Sequence, residues 1–466
     1  MRVDWSALTA VGLGCQSELV HPDSRGLALR ANRLALTAEQ AREPSLSPGA
    51  YSSAAGRVVV SASKMHADFL RLYNQGFSQE FYEQYRNRLQ AAVGPIPYRL
   101  AESPLFIEPA TRDRIFRYTS EIIEQLAEPS RLAKARTVIP PEYNVPNQDD
   151  VPDVMTVDFA VVRGEDGQFD GRVVELQAFP SLFAFTMVQA RIINEMVKFP
   201  QAQQGFHCFA KGYDFDTALA LFRRAVLGGH SPEDVVLLEI EPNQQKTLPD
   251  FVATQSLIGV DPVCVTEVIR EGRQLFRMKD GRKLRIHRIY NRVVFDELER
   301  KKPPMAFKFT DELDVTWCPH PNWYWMWSKF SLPLLDHPAV PRATPVSQLA
   351  QIPADLENYV LKPLFSYAGA GVKVDPTPED IAQIPADQRD GWILQKKIVY
   401  AREMYTPEGH GVAAEIRVLC LRDQGQRLPQ PLMNLVRLSR GKMLGVDFNK
   451  GMNWVGSSVA LWPKAE

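Results

Sequence analysis

Long apolar runs are missing from this 466-residue chain: no stretch approaches the ~20 residues that a membrane helix needs. Its start, Met1 to Leu8, carries Asp4 with no apolar segment behind it, so no leader is expected there. Net charge is also nearly absent, at −1 from 54 Lys and Arg against 55 Asp and Glu. The densest basic cluster is the short Arg300, Lys301, Lys302, which argues against nucleic acid or a membrane surface as partner. Cysteine is scarce and unpatterned. Cys15, Cys208, Cys264, Cys318 and Cys420 are odd in number and show no C-x-x-C spacing, so neither a disulfide framework nor a zinc knuckle is expected. A reducing, cytoplasmic setting fits that usage. Repeats and low-complexity tracts are absent too, and 45% AVILMFWYC with 23% DEKR is ordinary for a globular protein.

The length suggests about three folding units with room for a cleft between them. A Ser, Pro, Gly and Ala-rich loop runs from Glu43 to Gly56. Ser63 to Val93 and Pro109 to Ala127 then carry apolar residues at three-and-four spacing and predict amphipathic helices. A proline-rich loop, Pro140 to Asp153, ends this helical region, taken as 1–150. From Val154 two apolar runs flank Gly164, Glu165, Asp166 and Gly167, the pattern of a hairpin, which with a following helix makes a unit at 151–200. Strand-like Val235 to Ile240, helix-like Phe251 to Ile258 and strand-like Leu284 to Val294 predict a small α/β unit at 201–304. In 305–466, strands are expected at Tyr359 to Pro363, Trp392 to Lys397, Ala414 to Leu421 and Val455 to Leu461. The fold class expected is mixed α/β.

Three constellations carry potential chemistry. Asp158 and Glu175 are equidistant from the predicted turn, so they face each other across an antiparallel pair, an unfavourable arrangement without a cation. Gln177 lies two residues past Glu175 on the same strand face. Two carboxylates and an amide oxygen suit Mg²⁺, while the plain alternative is a solvated hairpin. The second constellation is Lys362, ending an apolar strand before a small-residue loop, Ser366 to Gly371, with Gly369 inside it. Glycines let backbone N–H groups approach phosphate, and a lysine adds a point charge. Lys329 is a candidate second phosphate lysine; each lysine also reads as an ordinary surface residue. The third comprises WILQKKI (Trp392 to Ile398), Glu415 and Arg417 on one face of EIRVL, and Arg437, Arg440, Asn449 and Lys450 downstream. Cys318, His320 and the aromatic cluster Trp317, Trp323, Tyr324, Trp325, Trp327 are read as packing, and Gly12-Leu13-Gly14 is no dinucleotide fingerprint.

Together these stretches resemble the ATP-grasp superfamily, in the order of its circularly permuted, glutathione synthetase-like branch. YVLKPLFSYAGAG is similar to the family's strand-Lys-Pro and lid loop, WILQKKI to its adenine-binding hinge, and EIRVL to its acidic-x-Arg strand. The V-D-hydrophobic and E-x-N strands that close unpermuted members appear here at the front, as Val157-Asp158-Phe159 and Glu175-Leu176-Gln177, with Pro180 following. RIHRIYNRVVFDEL is similar to the Arg-containing strand preceding the ATP module of permuted relatives. The likeness runs from Val154 to about Lys464. Gln177 stands where the family has Asn, Lys396 and Lys397 where an acidic residue is common, and the lid loop lacks an acid beside its glycines.

What the resemblance implies is an ADP-forming ligase that joins a carboxylate to an amine through an acyl phosphate, with its nucleotide site between two α/β subdomains. Asp158, Glu175 and Gln177 would hold Mg²⁺. Lys329, Lys362, Ser366, Gly369, Gly371, Gln395, Lys396, Ile398 and Glu415 would contact ATP. Arg417 and Arg437 would face the γ-phosphate and acyl phosphate, and Arg292 a substrate carboxylate. Expected partners are small acids and amines such as amino acids, peptides or polyamines, with oligomers allowed. The alternatives are a nucleotide-binding scaffold or regulator without ligase activity, and a small-molecule kinase.

Overall fold

Two hairpins distant in sequence build the central sheet. In this computed structural model, which describes residues 65–199, 202, 205–365, 371–441, 444 and 449–464, Val154–Arg163 pairs antiparallel with Phe169–Gln177, as the glycine-flanked turn predicts. Gly411–Leu421 pairs antiparallel with Gln430–Ser439 and, on its other edge, with Val154–Arg163. Gly456–Ser458 extends the far edge, giving a six-stranded sheet with the short Met404–Tyr405 strand. Val154–Arg163 is buried along nearly its whole length, which explains its almost unbroken apolar sequence.

A second antiparallel sheet of four strands runs in the order Ala343–Pro345, Trp392–Lys396, Tyr359–Pro363, Lys373–Val374. One face has its own small core of Val346, Leu356, Leu361, Ile381, Ile384 and Leu394. The opposite face, carrying Lys362, turns toward the six-stranded sheet, since the Lys362 Nζ donates to the Val174 carbonyl at 3.0 Å. A third, parallel sheet of four strands includes Val235–Glu239 and Arg288–Asn291, with Phe215–Leu227 and Leu248–Ile258 as helices of that unit.

The helices Met65–Gly76, Gln79–Val93 and Pro109–Leu126 form as their periodicity predicts, and bury Phe69, Tyr85, Leu89 and Ile122 in one core with Phe159, Val418 and Trp462. The 140–153 loop is tied down by side chains: Trp323 donates to Asp149 at 2.6 Å, Asn322 accepts from the Val145 amide at 2.9 Å, and Arg288 pairs with Asp153 at 2.6 Å. Mixed α/β is the observed class.

Two expected strands are each divided. Leu284 to Val294 becomes Arg282–Ile286, the last strand of an antiparallel meander, and Arg288–Asn291 in the parallel sheet, changing sheets at His287. Val455 to Leu461 becomes Gly456–Ser458 and Ala460–Pro463, the latter in a separate three-stranded sheet. Gly456 opens the first of these strands: its φ is +119°, and a Cβ there would meet the Arg99 carbonyl oxygen at 2.2 Å. Hydrophobic pattern records burial, not which sheet provides it, so both junctions escaped the sequence reading.

Candidate functional site

The central sheet presents charged side chains in two adjoining rows on one face. Register places Glu175 opposite Asp158 and Asp158 opposite Arg417; one pair further along, Glu415 lies opposite Arg437. The sequence reading anticipated the first pairing, including its turn. A register shift follows Asp158, between Asp158 and Phe159. Like charges facing across strands repel, and here guanidinium groups relieve that repulsion. Arg417 binds Asp158 through both Nε and Nη2, each at 2.6 Å, and Arg437 bridges Asp158 and Glu415. The Tyr400 hydroxyl donates to the other Glu415 oxygen at 3.1 Å.

Above this floor lies a cavity of about 170 Å³, lined on its polar side by Glu175, Gln177, Ser328, Lys329, Arg417 and Arg437. Lys329 begins the 3₁₀ turn Lys329–Leu334, whose entry is fixed by the Ser328 hydroxyl accepting from the Phe330 amide at 3.2 Å. Lys362 reaches the same centre from the opposing sheet. The cluster of Lys329, Lys362, Arg417 and Arg437 thus surrounds Glu175, whose side chain is 29% exposed, whereas that of Asp158 is 1% exposed.

Burial alone would raise the Glu175 carboxyl, but Lys329, Arg437, Arg417 and Lys362 outweigh it and hold the group at about 2. Burial lowers Lys362 to about 8 despite attraction to Glu175, and burial also lowers Lys329. Glu415 moves upward, chiefly by burial, although Arg437 opposes the shift. Burial acts to lower Arg417, but the neighbouring Asp158 more than reverses it. The cations thus outnumber the one carboxylate among the described lining residues of the cavity.

The expected residues separate by their distance from this cavity. Glu175, Gln177, Lys329, Arg417 and Arg437 line the cavity, and Lys362 and Glu415 sit beside it. Gln395 shares the Lys362 face of the second sheet, because Gln395 pairs with Val360 and Lys362 with Ile393, two residues along each strand. It is 1% exposed and its Nε2 has no partner. Asp158 is present in the constellation, but both of its oxygens accept from guanidinium groups, so it anchors the arginines.

Lys396, next along the strand from Gln395, is exposed, pairs with Asp355 at 3.2 Å and lies over the Tyr359 ring. Ile398 is half-buried beyond the strand end. Gly371 has φ of +73° and packs against Pro363, while Ser366 and Gly369 lie outside the described residues. Arg292 is 2% exposed and sandwiched between Phe179 and Phe251, at 5.2 and 5.5 Å, with Nε and Nη1 unpartnered. It touches a wall of the cavity through Phe179.

The sequence reading missed the walls contributed by Phe179, Tyr324, Leu364 and Phe365, and the Tyr400 contact to Glu415. The aromatic cluster does serve as packing at Trp323, Trp325 and Trp327, all fully buried, but half-exposed Tyr324 departs from it. His320 also packs as expected, 2.9 Å from the Pro146 carbonyl oxygen, with burial lowering it to about 4. Among the described residues no group of three or more His, Cys, Asp or Glu is arranged to hold a metal ion, and no helix is long and apolar enough to cross a membrane.

No protein-family model and no curated protein matches the chain. Among solved structures, it is similar to a glutathione synthetase-like effector from Globodera pallida in its apo form. The identity is 12% and the TM-score 0.49, over 83% of this chain and 97% of that one.

Proposed function

We propose that the chain is an ATP-dependent, Mg²⁺-dependent ligase that joins a carboxylate to an amine with release of ADP, in the permuted ATP-grasp manner. The observation that carries this reading is the convergence of Lys362 from one antiparallel sheet with Lys329, Arg417, Arg437 and Glu175 around one cavity against the other. A triphosphate between two sheets needs such a cluster, and the unpartnered Gln395 Nε2 on the Lys362 face offers a donor further along the same surface. The strand order supports permutation, since the front hairpin with Asp158 and Glu175 completes the sheet containing Arg417 and Arg437.

The donor set also fits Mg²⁺. The Glu175 carboxylate and Gln177 amide oxygen line the cavity, and this ion commonly takes one or two protein oxygens with phosphate and water completing its shell. When bound, Mg²⁺ would neutralise phosphate charge and orient the γ-phosphate. Asp158 would act indirectly, by fixing the Arg417 fork. Lys329, Lys362, Arg417 and Arg437 would stabilise charge as a substrate carboxylate oxygen bonds to the γ-phosphorus and ADP leaves. An amine nitrogen then attacks the acyl carbon, and phosphate departs as the amide forms and the nitrogen loses a proton. Arg292, with two unpartnered guanidinium nitrogens, would hold a carboxylate on the substrate side.

A screen for amine-dependent ADP release across amino acids, short peptides and polyamines tests this reading. Release that requires both an acid and an amine is expected. A specific observation favours a second reading, a nucleotide-binding regulator without ligase activity: guanidinium groups occupy Asp158, leaving Glu175 as the carboxylate among the described lining residues. Mg-ATP binding with no ADP release for any acid and amine pair would favour that alternative.

A further inference from the structure

The cavity beside Glu175 has two unlike walls. Its cationic side is Lys329, Arg417 and Arg437, and its other side is the rings of Phe179, Tyr324 and Phe365. Phosphate chemistry gives no reason for the rings. Tyr324 and Phe365 pack against the core but are only half-buried, and both line the cavity.

The aromatic wall is held in place from behind. Fully buried Trp325 meets Tyr324 edge-on at 5.1 Å and Phe365 edge-on at 5.0 Å. Phe179 packs edge-on against Tyr324 at 6.4 Å, with the Arg292 guanidinium over its ring at 5.2 Å. Rings fixed in this way lose little freedom when a ligand arrives, so the surface is preorganised for a flat apolar partner.

We propose that the carboxylate substrate is a small acid with an aromatic body, whose ring lies against Phe179, Tyr324 and Phe365 while its carboxylate points to Lys329, Arg417 and Arg437. This rests on the ligase reading for its catalytic meaning, but not for the binding itself. A small polar acid would leave the rings facing water and gain nothing from them. An aryl acid engages both sets of lining groups, its ring the aromatic side chains and its anionic end the cations.

The test is calorimetric titration of the full chain with phenylacetate and, separately, with acetate, each with and without Mg²⁺ and a non-hydrolysable ATP analogue. Phenylacetate should bind at least about tenfold tighter than acetate, from ring burial and aromatic contact. Tyr324→Ala and Phe365→Ala should each remove most of that preference; Phe365→Leu, which keeps apolar bulk, guards against a folding defect and should remove part of it. The analogue should leave phenylacetate binding intact or strengthen it. Equal affinity for the two acids, or a preference untouched by these variants, would overturn the proposal. Competitive displacement of phenylacetate by the analogue would also overturn it, by giving the rings to the nucleotide. If the analogue fails to bind while the ring-dependent preference persists, the acid pocket stands and the nucleotide reading falls.

Discussion

The two sheets bordering the cavity treat their polar groups differently. On the six-stranded side, Asp158, Glu415, Arg417 and Arg437 neutralise one another in a buried network, with Tyr400 closing its far end. On the four-stranded side, among the described residues, Lys362 makes a single hydrogen bond to a carbonyl and Gln395 keeps an unpartnered donor. The first arrangement satisfies all four of its carboxylate oxygens from within the protein, although the Arg437 Nε stays unpartnered among the described residues, whereas the second leaves the Gln395 amide nitrogen without a partner. The difference teaches that the central sheet fixes its carboxylates and arginines against one another, whereas the opposing sheet holds its lysine and amide with fewer internal partners.

The largest effect that would break this contrast falls on the network. Asp158→Ala leaves two guanidinium groups without their shared anion, so a loss of about 3–5 kcal/mol is expected in urea unfolding. A stable Asp158→Ala protein that merely lost Mg²⁺ dependence would instead restore Asp158 as a metal ligand. Glu175→Gln should also lower stability, because the cations that hold its carboxyl at about 2 lose their counter-charge, and should in addition remove Mg²⁺-dependent nucleotide binding.

The strength of that contrast at Lys362 is testable by pH. Burial places Lys362 near 8, below its ordinary 10.5, so the unfolded chain holds more protons between those values and this group's contribution to stability improves as pH rises from 8 to 10.5. Nucleotide affinity should move the other way. It should weaken by up to about tenfold between pH 7 and 9, as the free lysine loses its charge, and Lys362→Arg should flatten that profile. The smallest expected effect is at Gln395. Gln395→Leu removes a buried unsatisfied donor and should raise stability without nucleotide by about 1 kcal/mol, while weakening nucleotide binding.

How much of this was legible in the sequence depended on distance along the chain. The Asp158 and Glu175 pairing followed from turn symmetry, and alternation put Glu415 and Arg417 on one face, because strand geometry is local. The union of the two hairpins into one sheet came only through family resemblance, since no local pattern couples residue 158 to residue 417. The same limit applies to Asp158: a facing carboxylate pair demands a cation, but nothing in that hairpin says whether the cation is a metal or an arginine from another strand. The aromatic wall was hidden in WYWMW, where buried Trp325 and cavity-lining Tyr324 are adjacent and alike in hydrophobicity.

The most direct test of the central claim is calorimetry of Mg-ATP on the full chain, wild type against Lys362→Met, with Lys373→Ala as control because exposed Lys373 pairs with Asp380 away from the cavity. The account predicts Mg²⁺-dependent binding by wild type and control, weakened by about 10–100-fold in Lys362→Met, the value of one charge-assisted contact, and more strongly in dilute than in concentrated salt. No Mg-ATP binding by the wild type, or the same affinity in Lys362→Met, would contradict it.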